Sequence, residues 1–341
     1  MPVRTRRRDH GARVSSSGAA LVLTAGLGTR LRPLSCTRAK PAVPIAGQAL
    51  IRRIATWLAA CDVRDLVLNL HYRPDTIARQ LGDGSDLGVR VRYSWEVPIL
   101  GSAGGPRKAL PLLDADQFFV INGDTLTDVD LRRLSAAHAS SGALVTLAAI
   151  ENRWPDRYGG VLADEDGAVG AFLPRGSRQP SFHFVGVQLV HRSVFAGLPA
   201  GEYADSLRDV YTPLLLARPG SVRVFACQAA FWDVGTPEDY LATAFAFARA
   251  EGLASMPIGR ASRVDPSSHI VDTAIWDDVE VGRDVELVRC VVGDGARIPD
   301  GTHFEDCAIV PAAGLTPLDT ERIAGELLVA RMTPHHGHVV V

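Results

Sequence analysis

The segment Thr24-Ala25-Gly26-Leu27-Gly28-Thr29-Arg30-Leu31-Arg32-Pro33-Leu34 follows a short apolar run, Ala20–Thr24, that reads as a strand. Glycines at 26 and 28 let the backbone approach a phosphate, and successive amide N–H groups can cradle it. A dinucleotide-binding fingerprint needs a third glycine where Leu31 stands, and a Walker loop needs Gly-Lys-Ser/Thr, so neither pattern is met. Instead Arg30 lies on the loop, and Lys40 follows in Lys40-Pro41. Two cations beside a glycine-rich loop suit a triphosphate. A plain turn with surface cations is the alternative that these residues alone leave open.

Outward from this loop, strand and helix signals alternate. Ile51, Ile54, Leu58 and Cys61 fall at helical spacing, Leu66–Leu70 reads as a buried strand, and Val89–Trp95 alternates as a half-buried one. Phe118–Ile121 is a further apolar strand that ends in Asn122-Gly123-Asp124; a helix over 130–141 and a strand over 144–150 follow. The alternation predicts an α/β fold, a Rossmann-like and mostly parallel mixed sheet covered on both faces, with ligands outside the carboxyl ends of its strands. Hairpins are expected from about residue 155, then a helix near 206–218, a strand at 222–227 and a helix over 237–251.

After Gly252 the apolar residues repeat every 17: Val264, Val281 and Ile298; Ile270, Leu287 and Phe304; Ile275, Val292 and Ile309. Three apolar corners per repeat describe a triangular parallel β-helix, with Thr273, Cys290 and Cys307 stacked inside. The expected organisation is a disordered basic tail at 1–18, a catalytic-type α/β domain at 19–252, a linker at 253–262, β-helix repeats at 263–315 and a C-terminal tail at 316–341. The end coil has an unpaired edge, so the β-helix is expected to serve assembly into a homo-oligomer rather than chemistry.

The 341 residues suggest about two domains at roughly 150 each. A net charge of −2 disfavours a nucleic-acid partner held by phosphate neutralisation. No apolar run is long enough for a membrane span. The five cysteines are scattered and form no C-x-x-C pair, which fits a reducing, cytoplasmic setting. Of 36 basic residues only Lys40 and Lys108 are lysines, which points to a compact ammonium at Lys40, with chance retention as the alternative reading, the favoured one for Lys108. His71 and His138 read as core or surface residues, and His335, His336 and His338 as part of a chain end.

Asp124 stands at a strand end, and Asp233 in Trp232-Asp233-Val234-Gly235-Thr236-Pro237. Carboxylates from two distant segments suit one Mg²⁺ shared with substrate phosphates. Read singly, Asp124 serves equally as a strand-end cap and Asp233 as a turn aspartate. Leu100-Gly101-Ser102-Ala103-Gly104-Gly105 is a small-residue loop opening a helix that admits a flat base against the backbone, or a flexible βα turn.

Together these segments resemble the nucleotide-diphosphate-sugar pyrophosphorylases, the sugar-1-phosphate nucleotidyltransferases. That family reads A-G-x-G-T-R-L-x-P-L-T followed by K-P, and only Ser35 departs here, from the final Thr. Leu100–Gly104 looks like its L-G-T-A-G, Gly123-Asp124 like its G-D, and Trp232–Pro237 like a shortened W-x-D-V/I-G-T-P. The repeats resemble the short left-handed parallel β-helix that many members carry, and the combination looks most like the mannose-1-phosphate guanylyltransferase branch.

The resemblance implies an enzyme that makes an NDP-sugar and pyrophosphate from an NTP and a sugar 1-phosphate, with GTP and mannose 1-phosphate as the first expectation. Uridylyl or thymidylyl transfer to glucose, heptose or N-acetylated sugar phosphates, and a non-catalytic nucleotide-sugar-binding subunit, are the alternatives. It implies that Arg30 and Lys40 contact NTP phosphates and that Asp124 and Asp233 hold the Mg²⁺. Ala25, Gly26, Gly28, Thr29, Gly101, Gly104 and Gly123 would line the nucleotide pocket, with Gly186 by the sugar. Two departures stand out. Pro174-Arg175 replaces the family's Glu-Lys-Pro, so Arg175 would meet the sugar phosphate, and Phe184-Val185-Gly186 replaces Asn-Ala-Gly.

Overall fold

The computed structural model describes residues 18–333; the arginine-rich N-terminal segment through Ser17 and the histidines at 335, 336 and 338 lie outside the described residues. Four parallel strands lie side by side in the order Gln117–Asn122, Ala19–Leu23, Asp65–Leu70, Arg90–Trp95. The chain builds outward on one side of Ala19–Leu23, then crosses over and places Gln117–Asn122 on the other. The carboxyl ends of these two strands therefore flank a topological switch point, where open α/β sheets form a crevice.

Phe182–His191 runs antiparallel to Gln117–Asn122 and carries the sheet onward, with Val145–Glu151, Gly160–Ala163, Val169–Leu173 and Val222–Ala226 completing nine strands among the described residues. Alternate residues serve opposite faces. Ala20, Val22, Phe119 and Ile121 pack with helices Leu50–Ala60, Leu131–Ser141 and Pro237–Ala250; Ala19, Leu21, Phe118 and Val120 pack with Ala103, Phe195 and Tyr211 on the other side. Burial on both faces is why these strands read as continuous apolar runs.

The helix that the 100–105 segment is expected to open is Gly101–Ala109, and it begins inside that segment. Its glycines serve close packing: a Cβ on Gly104 would stand 2.3 Å from the Glu202 carbonyl oxygen, and one on Gly105 2.5 Å from Glu96 Oε1. The expected helix near 206–218 is broken into a π-helical turn, Ser206–Tyr211, and Thr212–Ala217, with Pro213 unable to donate to a continuous ladder.

The 17-residue repeats stack as read. Val264, Val281 and Ile298 pair in one wall, Ile270, Leu287 and Phe304 in the second, and Ile275, Val292 and Ile309 in the third, all in parallel. Leu287, Cys290, Val292 and Ile309 fill the interior, the Cys290 amide donates to Thr273 Oγ1 at 3.0 Å, and all five cysteines are free. The third wall turns its outer face to the α/β domain. Ala274, Trp276, Val291, Ala308 and Val310 join the same core as Leu31, Leu34 and Tyr240. Trp276 Nε1 donates to Tyr240 Oη at 2.7 Å, and Tyr240 Oη to the Pro44 carbonyl at 2.7 Å.

Residues 316–331 depart from the expected tail. Glu321–Ala324 and Leu327–Arg331 form a hairpin that adds antiparallel to Cys307–Pro311, so the third wall is five strands wide. Leu327, Leu328, Val329 and Ala330 are buried there and close that wall.

Candidate active site

At the switch point the chain leaves Ala19–Leu23 into the glycine-rich loop. The Thr24 amide donates to Asn69 Oδ1 at 2.7 Å, and Asn69 Nδ2 donates to Glu96 Oε1 at 2.7 Å. Glu96 Oε2 in turn accepts from the Leu100 amide at 2.8 Å. This buried chain of Thr24, Asn69 and Glu96 ties the floors of three strand ends together. Gly28 then turns with φ 64°, and a Cβ there would stand 3.3 Å from Ser35 Cβ and 3.4 Å from Lys40 Cβ. Glycine accepts this left-handed conformation without strain and spares Ser35 and Lys40 a tight Cβ contact.

Lys40 is 8 % exposed, and its Nζ donates to Asp124 Oδ2 at 2.7 Å. Desolvation raises the Asp124 carboxyl, but the Lys40 charge and hydrogen bond outweigh it and hold the group below its ordinary value. Phe231–Asp233 pairs antiparallel with Thr125–Thr127, which sets Asp233 opposite Thr125, and the Val234 amide donates to the Asp124 carbonyl at 3.2 Å. Asp233 thus stands beside Asp124. Desolvation pushes its carboxyl above the ordinary value; Asp124 and Asp239 add to this, while Lys40 and Arg157 oppose it. Arg157 Nη2 lies 3.4 Å from Asp233 Oδ2 and 2.7 Å from Asp239 Oδ2, and Tyr158 Oη donates to Asp233 Oδ2 at 3.3 Å.

A crevice of about 360 Å³ opens here, lined by Ala25, Gly26, Gly28, Thr29, Arg30, Lys40, Gly101, Gly123 and Asp124. These nine expected residues are brought together. Asn69, Glu96, Ser102 and Asn122 also line it and were not singled out by sequence. A signal existed for Asn69, a lone polar residue inside the apolar run Leu66–Leu70. Gly104 does not line the crevice; it faces the 202–204 segment. Gly186, with φ 79°, backs onto Asn122, so it stands just behind the lining. Arg175 sits on an exposed turn whose neighbour Gly176 donates to the Pro155 carbonyl at 2.7 Å. His138 is buried against Thr146 Oγ1 at 2.7 Å, and His71 Nδ1 rests 2.9 Å from the Glu96 carbonyl oxygen; neither lines the crevice.

The donor set fits a hard divalent cation. Asp124 and Asp233 are adjacent carboxylates; burial first, and then the Asp124 charge, raise Asp233, and a cation between them would offset both. Among the described residues no group of three or more metal-ligating side chains exists, so substrate oxygens or water would have to complete the shell. No helix among the described residues is long and apolar enough to cross a membrane.

The nucleotidyl transferase family model matches residues 19–250. The chain is 32% identical over 300 residues to the mannose-1-phosphate guanylyltransferase of Mycobacterium tuberculosis, spanning 84% of this chain and 82% of that one. It is 29% identical over 314 residues to the mannose-1-phosphate guanyltransferase of Neurospora crassa, covering 82% and 83% of the two chains. With the catalytic subunit beta of the Dictyostelium discoideum enzyme it shares 32% identity over 245 residues, 65% of this chain and 62% of that one. A crystal structure of HddC from Yersinia pseudotuberculosis complexed with GMP-PN superposes with a TM-score of 0.58 at 25% identity, over 67% of this chain and 99% of that one. The match spans the whole switch-point sheet and both of its carboxylates, and the chain belongs to the nucleotidyl transferase family.

Proposed function

We propose that this protein is a sugar-1-phosphate nucleotidyltransferase that joins GTP and mannose 1-phosphate into GDP-mannose and pyrophosphate. The observation that carries the reading is one crevice lined by the Gly26–Arg30 turn, Lys40 and Asp124, with Asp233 beside them, in a chain whose relatives act as mannose-1-phosphate guanylyltransferases. The sugar phosphate brings its own anionic oxygen, so no protein nucleophile is needed. That oxygen attacks the α-phosphorus in line, and the bond to the leaving pyrophosphate breaks. Catalysis is then positioning and charge neutralisation.

In this reading the 25–29 amides cradle the NTP phosphates and Arg30 meets the charge that grows on the leaving group. Lys40 contributes a point charge to the phosphates and keeps Asp124 ionised. Asp124 and Asp233 would hold Mg²⁺, which when bound neutralises the phosphate oxygens and orients them. Gly101 and Ser102 would border the base, and Gly186 and Arg175, which do not line the crevice, would serve the sugar phosphate. A cytoplasmic setting fits the five free cysteines, and self-association through the open coil edges fits the β-helix.

The test is a pyrophosphate-release matrix of five NTPs against a panel of sugar 1-phosphates, with and without Mg²⁺. Release with GTP and mannose 1-phosphate that requires both substrates is the expected result. Comparable hydrolysis of an NTP with no sugar phosphate present would sink the transferase reading, and a better pair elsewhere in the matrix would replace the substrates.

A further inference from the structure

The stretch from Arg30 to Lys40 carries both crevice cations, yet its regular structure is only three short turns: Thr29–Leu31, Leu34–Cys36 and Lys40–Ala42. Such single 3₁₀ turns are used in short pieces and give little stiffness of their own. Within the α/β domain Tyr72 Oη donates to the Ser35 carbonyl and the Ala39 amide to Thr76 Oγ1, both at 3.1 Å, but the charged grips on this stretch beside the two cations come from the other domain. Two residues after Arg30, Arg32 forks onto Glu321, with Nε to Oε1 and Nη2 to Oε2 both at 2.9 Å, and Nη2 also donates to the Thr316 carbonyl at 3.2 Å. The Glu321 side chain is 1% exposed. Two residues before Lys40, Arg38 forks onto Asp294 at 2.8 and 2.6 Å and reaches Asp277 at 3.0 Å. Its guanidinium lies 5.5 Å from the Trp276 ring centroid. Asp277 and Asp294 belong to successive coils, and Glu321 to the closing hairpin.

We propose that the β-helix positions the phosphate-binding loop: the Arg32–Glu321 and Arg38–Asp277/Asp294 forks hold the stretch between Arg30 and Lys40 against the third wall and so set where those two cations stand in the crevice. The role of the cations rests on the nucleotidyltransfer reading; the grip itself does not. Bidentate Arg–carboxylate pairs fix orientation as well as distance. Buried ion pairs are weak as stabilisers compared with apolar packing, so five charged side chains in this seam are better explained by the register they impose. Arg32, Arg38, Asp277, Asp294 and Glu321 are then positioning residues, which touch no substrate.

The full-length protein carrying Asp294→Asn, Glu321→Gln or Arg32→Lys is compared with the parent by hydrogen–deuterium exchange over residues 28–43 and by steady-state kinetics. Arg32→Lys keeps the charge and only loses the fork, so it covers the case in which a carboxylate variant does not fold. The expected result is faster exchange at Leu31, Cys36 and Ala42, whose amides close the three turns or lie beside them. With it, kcat/KM for the NTP falls on the order of 10-fold to 10²-fold, more than for the sugar 1-phosphate. The double exchange of Arg32→Glu with Glu321→Arg should restore both readouts in part. Unchanged exchange overturns the proposal, and so does faster exchange with unaltered kinetics, which would make the seam mere fastening. If the parent releases no pyrophosphate from any substrate pair, the functional reading fails, and exchange together with calorimetric NTP binding in the same variants decides the grip.

Discussion

Lys40 and Lys108 differ as sharply as two lysines can: the first is buried against Asp124, the second is exposed. Lys40 places a single ammonium 2.7 Å from Asp124 Oδ2, a point contact that a longer planar guanidinium does not reproduce, so Lys40→Arg should lose most activity although charge is kept. Arg175, on its open turn, should tolerate Lys, while Arg175→Ala should raise KM for the sugar phosphate more than for the NTP. An unchanged KM would leave it a surface cation. Asp124→Asn and Asp233→Asn should each cut kcat by about 10²-fold or more with the melting temperature preserved. Near-normal kcat for Asp233→Asn at saturating Mg²⁺ would remove it from the metal site. A pH effect follows from His183. Its ring packs at a tilt on Tyr158 at 4.2 Å and edge-to-face with Phe231 at 4.7 Å, Nε2 has no hydrogen-bond partner, and burial, with Arg157 nearby, lowers its pKa to about 4. Between about 4 and the ordinary 6.5 the unfolded chain binds the extra proton, so stability falls as pH drops through that window. His138, also lowered to about 4, acts in the same direction. Melting curves from pH 7 to pH 4.5 should show the fall, and His183→Phe should reduce its slope. The crevice residues were legible because a phosphate loop must be built from glycine and cations close together in sequence. Arg157 and Glu96 were not legible, since their partners are far along the chain and their own neighbourhoods look like ordinary turns.

Among the elements, the β-helix was the most readable, because a 17-residue period repeats its whole packing pattern and one coil predicts the next. Leu287 lies in the middle coil, fully buried between Ile270 and Phe304. Leu287→Ala should destabilise the protein by about 2–5 kcal/mol, read by denaturant unfolding. A smaller loss would mean that the coils relax into the cavity. The hairpin Glu321–Arg331 escaped notice because it occurs once and belongs to no repeat. Its legible cue was the Gly325-Glu326 turn between two short apolar stretches. The helix opened by the 100–105 segment was legible but its start at Gly101 was not: glycines score against a helix, yet the Glu202 backbone leaves no space for a side chain at Gly104.

At the scale of the molecule, the two domains share one core. Trp276, Val291, Val310 and Leu328 of the β-helix side are buried with Leu34 and Tyr240 of the α/β side. A chain ending near Gly252 would expose that apolar face and lose every carboxylate partner of Arg32 and Arg38. It should therefore be poorly soluble and inactive; a monodisperse, active truncation would show that the shared core is dispensable. Light scattering of the full chain reads self-association separately, and a strict monomer would remove the assembly role. The closing hairpin carries a further consequence. It is attached to the last coil, and each coil advances the stack by about 4.8 Å, while Arg32 and Glu321 meet at 2.9 Å. The number of coils is thus a ruler measured from the catalytic side. Splicing one more 17-residue unit ahead of Cys307 would preserve every contact inside the stack and still carry Glu321 a full strand spacing out of reach, so the repeat that looks freest to multiply is counted.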